Sequence, residues 1–146
     1  MATQIFVNLP VRDLNRSVAF FTQLGYTFNP QFTDEKATCM VISDTIYVML
    51  LVEPFFNSFT KKAIADTSQT AEVIVSLSAD SRDAVDAIVD KAVAAGATTP
   101  LPAQDHGFMY ERSFEDLDGH SWSYVYMDMT AVPDASPAEV GVGNEV

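Results

Sequence analysis

His106 and His120 are the only histidines in the chain and Cys39 its only cysteine, so acid–base, nucleophilic or metal chemistry must draw on them or on the acids. His106 stands in the loop Gln104-Asp105-His106-Gly107, where an imidazole titrating at about pH 6.5 serves as an acid or base at a cleft edge, or is a plain loop residue. His120 follows the Asp118-Gly119 turn, a position that suits a turn-stabilising side chain. Cys39 lies mid-strand beside Met40 and Val41, the setting of a buried, inert thiol; a nucleophile there would need a basic neighbour. Asp116-Leu117-Asp118-Gly119 begins like a calcium loop, but the position where the closing glutamate belongs is Met127, so a hairpin turn is the better reading. Two charges flank the strands. Glu53 closes the fourth strand, and Arg112 in the seventh would hold a ligand carboxylate bidentately if it points inward, or form a surface salt bridge if it does not.

The chain that must position these groups has 146 residues, the length of one ordinary domain, with 48% hydrophobic and 19% charged residues. Eight basic against twenty acidic residues leave a net charge of −12. Nucleic acid and anionic membrane surfaces are bound mainly through Lys and Arg, so neither is an expected partner. The longest apolar run, Ile46–Val52, is far too short to span a bilayer. Met1-Ala2-Thr3-Gln4 has no basic, apolar leader pattern and the thiol is single, so a cytoplasmic location is expected.

Hydrophobic periodicity supplies the elements. A strand over Gln4–Leu9 is followed by Asp13 as an N-cap and by Leu14, Val18, Phe21 and Leu24 at helical spacing, with Gly25 as the stop. Tyr26–Phe32, Thr38–Ser43 and Ile46–Val52 read as strands, the last two joined at Asp44-Thr45. Residues 53–69 break the pattern with Phe55, Phe56 and Phe59, and Lys61–Ala65 suits a short helical turn. The order then repeats: Val73, Val75 and Leu77 alternate, Ser81 caps, and Val85, Ile88, Val89, Ala92 and Val93 form a stripe ending at Gly96. Thr98–Leu101, Tyr110–Glu115 and Ser121–Met127 complete a second β-α-β-β-β unit. The class is therefore α+β, with modules at about 4–52 and 72–128 within one domain at 4–128, a linker at 53–71, and a flexible acidic tail at 129–146.

Two sets of residues carry a resemblance. The first is Asn8-Leu9-Pro10-Val11, Asp13-Leu14, Ser17, Phe20-Phe21 and Leu24-Gly25-Tyr26; the second is Gly107-Phe108-Met109, Ser113-Phe114, Asp116, Asp118-Gly119-His120 and Trp122. From about Gln4 to Asp128 the chain resembles the vicinal oxygen chelate superfamily, which includes glyoxalases, bleomycin-resistance proteins and extradiol dioxygenases. Within it the chain is most similar to bacterial predicted lactoylglutathione lyases. The resemblance implies two βαβββ modules forming an incomplete barrel-like cleft, paired subunits, and in the metal enzymes a divalent ion held by His, Glu, His or Gln, and Glu on strands one, four, five and eight. Carried onto this chain, those positions fall on Phe6, Leu50, Ile74 and Ser123. Phe, Leu and Ile offer no lone pair and serine is a weak ligand, so no metal or other cofactor is expected at that place.

Strand alternation gives an independent view. Ile5, Val7 and Leu9, with Val73, Val75 and Leu77, should pack against the helices, leaving Phe6, Asn8, Leu50, Ile74, Ser76, Ser121 and Ser123 on the opposite face. Apolar walls with a few neutral donors make a small-molecule pocket. The expected ligand-binding set is that face plus Arg112, and the expected activity is sequestration or transport of a small, partly apolar molecule by a homodimer. The alternative is a glyoxalase-like metal-dependent lyase with its divalent ion relocated to Glu53, Glu72, His106, Glu111 or His120. A module that binds a protein partner through Phe55–Phe59 is a third reading.

Overall fold

The N-terminal strand and the helix after it are set by one short stretch of sequence. In the computed structural model, which describes residues 2–131, β1 runs Ile5–Val11 and α1 runs Leu14–Gln23. Asp13 between them has extended backbone, and its side chain accepts from the Arg16 N–H at 3.1 Å, giving the helix an N-cap. Leu14, Ser17, Phe20 and Phe21 form the buried side of α1, and Gly25, at φ 104°, turns the chain out of it. Strands β2 (Thr27–Asn29), β3 (Ala37–Val41) and β4 (Ile46–Val52) follow. The second module repeats this order as β5 (Ile74–Ser78), α3 (Arg82–Ala94), β6 (Gln104–Asp105), β7 (Met109–Glu115) and β8 (Ser121–Met127). Ser81 caps α3 by accepting from the Ala84 N–H at 3.0 Å.

Each module makes one four-stranded sheet, ordered β1-β4-β3-β2 and β5-β8-β7-β6. The pairings β1·β4 and β5·β8 are parallel and the remainder antiparallel. No closed barrel forms among the described residues. Both sheets turn one side toward a single shared core, where Leu9, Val11, Phe20, Phe21, Val48 and Leu50 of the first module meet Val85, Val89, Phe114, Trp122 and Tyr124 of the second. Phe21 packs against Trp122 with ring centroids 5.1 Å apart, and the Tyr26 and Tyr124 hydroxyls are 2.6 Å apart. Burying this apolar surface supplies the main driving force for joining the modules.

Several sequence expectations shift. β1 continues through Pro10 to Val11, because Pro10 sits on an edge strand and lacks an N–H only on the side away from β4. The helical turn expected at Lys61–Ala65 occurs earlier, as α2 (Glu53–Phe56) and a 3₁₀ turn over Asn57–Phe59; Pro54 fits the first turn, where its N–H is not needed. Thr98–Leu101 is not a strand: Thr98 makes a single bridge to Glu115, and Pro100 and Pro102 cannot donate to a ladder. Ile5 and Val73 are exposed instead of packed, since both lie at strand beginnings that the helices do not cover. Of the expected tail, residues 132–146 lie outside the described residues.

Candidate functional site

Strand pairing determines which side chains share a face. On β1 and β4 the partners Leu9↔Leu50 and Val7↔Val48 lie toward the core, and Phe6↔Tyr47 and Asn8↔Met49 lie on the other side. Phe6 and Tyr47 stack with centroids 5.0 Å apart and planes 13° from parallel. Leu50 is therefore a core residue, fully buried on the helix side, and the sequence expectation that placed it beside Phe6 is corrected by one residue. Met49 and Leu51 take its place on the outer face. On this face lies a cavity of about 450 Å³ lined by Phe6, Asn29, Phe32, Cys39, Tyr47 and Met49, among others. Cys39 forms part of its floor, where burial pushes the thiol pKa up and keeps it protonated. A second hollow of about 400 Å³ continues from Asn8 and Leu51 to Phe56 and Phe59, so the aromatic segment extends this face and does not enter the core.

The outer face of the second sheet is chemically different. Ile74 and Ser76 on β5 pair with Ser121 and Ser123 on β8, and Ser113 and Glu115 on β7 pair with Ser123 and Ser121. A smaller cavity of about 140 Å³ is lined by Ile74, Leu101, Glu111, Ser113, Ser121 and Ser123, among others. Ser123 is buried and its hydroxyl donates to Glu111 Oε2 at 2.5 Å. Phe6, Asn8, Ile74, Ser76, Ser121 and Ser123 thus all lie on outer faces as expected, yet in two groups, each on its own module.

Arg112 lies on the opposite side of its strand. It shares the helix face of β7 with Tyr110 and Phe114, and its Nη1 donates to Asp86 at 3.1 Å and Asp90 at 2.9 Å on α3. The Tyr110 hydroxyl also donates to Asp86 at 2.6 Å. That hydrogen bond, with the one from Arg112, outweighs partial desolvation and holds the Asp86 pKa below the usual carboxylate value. The guanidinium expected to hold a ligand carboxylate is thus engaged within the fold, through one nitrogen shared by two aspartates. Arg82, by contrast, forms a bidentate fork on Asp105, at 2.7 and 3.1 Å, and Asp105 is pushed down to about 2.

His120 serves the junction between modules. Its Nε2 donates to the Pro10 carbonyl at 2.6 Å, and its backbone N–H is accepted by Asp116. Asp116 also accepts from the Asp118 N–H and from the Trp122 indole at 2.9 Å, and burial raises its pKa despite these donors. Arg12 Nε donates to Asp118 at 3.1 Å, and Thr67 Oγ1 donates to the Asp118 carbonyl at 2.5 Å. Gly119 at φ 80° is required here, because a Cβ would lie 2.6 Å from Thr67 Oγ1. Glu53 lines the same polar groove as His120, whereas Glu111 is on the outer face of β7 and His106 and Glu72 are exposed elsewhere. The residues named for a relocated metal site do not converge.

A family model of the bleomycin resistance protein-like N-terminal region matches residues 3–43. Among solved structures, a hypothetical protein from S. aureus is 27% identical with TM-score 0.73, over 86% of this chain and 95% of that one. A glyoxalase/bleomycin resistance protein/dioxygenase family enzyme from Burkholderia phytofirmans is 17% identical with TM-score 0.71, over 86% and 99% of the two chains. The chain has the glyoxalase/bleomycin resistance fold, and its N-terminal region is similar to the bleomycin resistance protein-like family. The fosfomycin resistance protein of Mesorhizobium loti shares the fold at TM-score 0.64 and 14% identity, covering 89% of this chain and 96% of that one. No curated protein matches the sequence.

The metal enzymes of the vicinal oxygen chelate superfamily imply a divalent ion on the outer faces, and the donors present do not fit one. Phe6, Met49, Leu51, Ile74 and Ser123 stand there with only Glu111 and Glu115 as carboxylates, short of the three or so good ligands a catalytic ion needs. Among the described residues no group of three His, Cys, Asp or Glu is placed to hold a metal. Outer-face residues outside the expected binding set include Cys39, Tyr47, Met49, Leu51 and Glu115, those on β4 revealed only by its pairing with β1.

Proposed function

We propose that this protein of the glyoxalase/bleomycin resistance fold binds a small, partly apolar molecule without a metal ion, in a cleft that a second copy of the chain completes. The observation that carries the reading is the composition of the outer faces. Aromatic and thioether side chains stand in the first sheet, and hydroxyls stand in the second, at positions where an ion would need nitrogen or carboxylate donors. Such walls bury an apolar body and orient it through a few hydrogen bonds. The two half-sites are built on separate sheets whose shared core holds their inner sides together, leaving Phe6, Phe32 and Ile74 exposed. Facing the first sheet of one copy against the second sheet of another joins the halves and covers those side chains.

The test is a thermal-shift survey of partly apolar small molecules on tag-free protein, with and without chelator, alongside sedimentation of the same sample. The expected result is a dimer whose Tm is raised by selected compounds equally in both buffers, and a variant Phe6→Asp that no longer responds. A monomer that no compound stabilises, or a stabilisation that disappears with chelator, would overturn it.

A further inference from the structure

We infer that the completed cleft selects a flat, partly apolar cation and rejects anions, with the Phe6–Tyr47 pair receiving the flat body and Glu111 the positive charge. This rests on the two-copy cleft proposed above. Phe6 and Tyr47 stack on each other, which leaves the outer ring face of half-exposed Phe6 to extend the stack, with Met49 nearby, on a wall that carries no charged side chain. Ring faces are electron-rich and attract a cation laid over them, while a soft thioether adapts to its outline. The second wall carries Glu111 and Glu115 among serine hydroxyls, and neither carboxylate is in an ion pair among the described residues. Ser123 occupies Oε2 of Glu111, which leaves Oε1 to accept from a ligand donor.

Positive charge is missing from both walls. None of the eight Lys and Arg residues lines either sheet-face cavity. Arg12, Arg82 and Arg112 are committed to Asp118, Asp105 and the Asp86–Asp90 pair. A carboxylate or phosphate entering the cleft would lose its hydration with no compensating partner and would meet Glu111 and Glu115 at close range. Glutathione adducts carry two carboxylates and fall in the rejected class. The net charge of −12 adds long-range attraction for cations.

Three ligands of one shape test this in mildly alkaline buffer: 9-aminoacridine, protonated there and bearing N–H donors, as the cation, acridine as the neutral form, and acridine-9-carboxylate as the anion. Titration should show the cation tightest, the neutral ring weaker and the anion unbound. Glu111→Gln keeps a carbonyl acceptor for Ser123 and should cost the cation about tenfold in affinity, as loss of one charge-assisted hydrogen bond does, with neutral acridine unchanged. Phe6→Ala should weaken cation and neutral ring alike. An anion bound as tightly as the cation, or cation binding indifferent to Glu111→Gln while acridine still binds, removes the charge selectivity and leaves the cleft. Failure of all three ligands at millimolar concentration removes the cleft reading and this inference together.

Discussion

On β8, Trp122 and Tyr124 turn toward the helices while Ser121 and Ser123 turn away; on β1, Leu9 and Val11 turn inward while Phe6 and Asn8 turn out. The inner sides of the two sheets are alike in supplying apolar side chains to one core, with Arg112 an exception on β7, whereas the outer sides differ from each other. A core is indifferent to which module supplies a methyl group as long as volume is filled, so similar apolar sets serve both halves. A binding cleft has no such freedom, because each wall must match a different part of its ligand. Divergence between repeated modules is therefore concentrated on the faces that packing does not constrain.

The strongest way to break this comparison is at the polar hub beneath the inner face. Asp116→Ala strands the Trp122 indole and two backbone N–H groups, and urea unfolding should show a loss of about 4 kcal/mol. Neighbouring residues on β4 sharpen it next. Leu50→Ala should cost about 3 kcal/mol as a core cavity, and Met49→Ala, one residue along and outward-facing, about 1 kcal/mol or less. Equal losses at these two positions would contradict the register. Phe6→Ala should change stability by under about 1 kcal/mol yet abolish ligand-induced stabilisation.

The smallest effect is in acid. Asp86 and Asp105 have native pKa values below their unfolded ones, so their contribution is present above the ordinary carboxylate range and is lost as pH falls toward their native values, about 2 for Asp105. Asp116, raised by burial, works in the opposite sense, its contribution fading as pH rises through its native value. Unfolding midpoints measured across acid pH should fall less steeply in Asp86→Asn/Asp105→Asn than in the parent.

Much of the fold was legible because local signals agreed. Asp13 and Ser81 cap their helices as read, and β4 and β8 span the residues expected. The phase of β4 was not legible. Ile46-Tyr47-Val48-Met49-Leu50-Leu51-Val52 is apolar at every position and has no alternation to show which side faces inward, so only pairing with β1 decides it. For Arg112 a signal was present: Tyr110, Arg112 and Phe114 share one strand phase, and Phe114 is core. Its partners Asp86 and Asp90 lie one turn apart on α3, more than twenty positions away in the chain, a contact that only the tertiary fold creates. The separation of the outer-face residues onto two sheets was equally hidden, since periodicity reports a residue's face and not what that face meets.

The central claim is that the outer faces take a ligand without an ion, and metal content tests it most directly. Protein prepared without chelator or affinity tag, incubated with nickel, zinc, manganese or ferrous iron and then freed of excess, should retain only trace metal and show an unchanged Tm. A stoichiometric ion that survives separation and raises the Tm would contradict the account, and would place donors at a site where Phe6, Met49, Ile74 and Ser123 now stand.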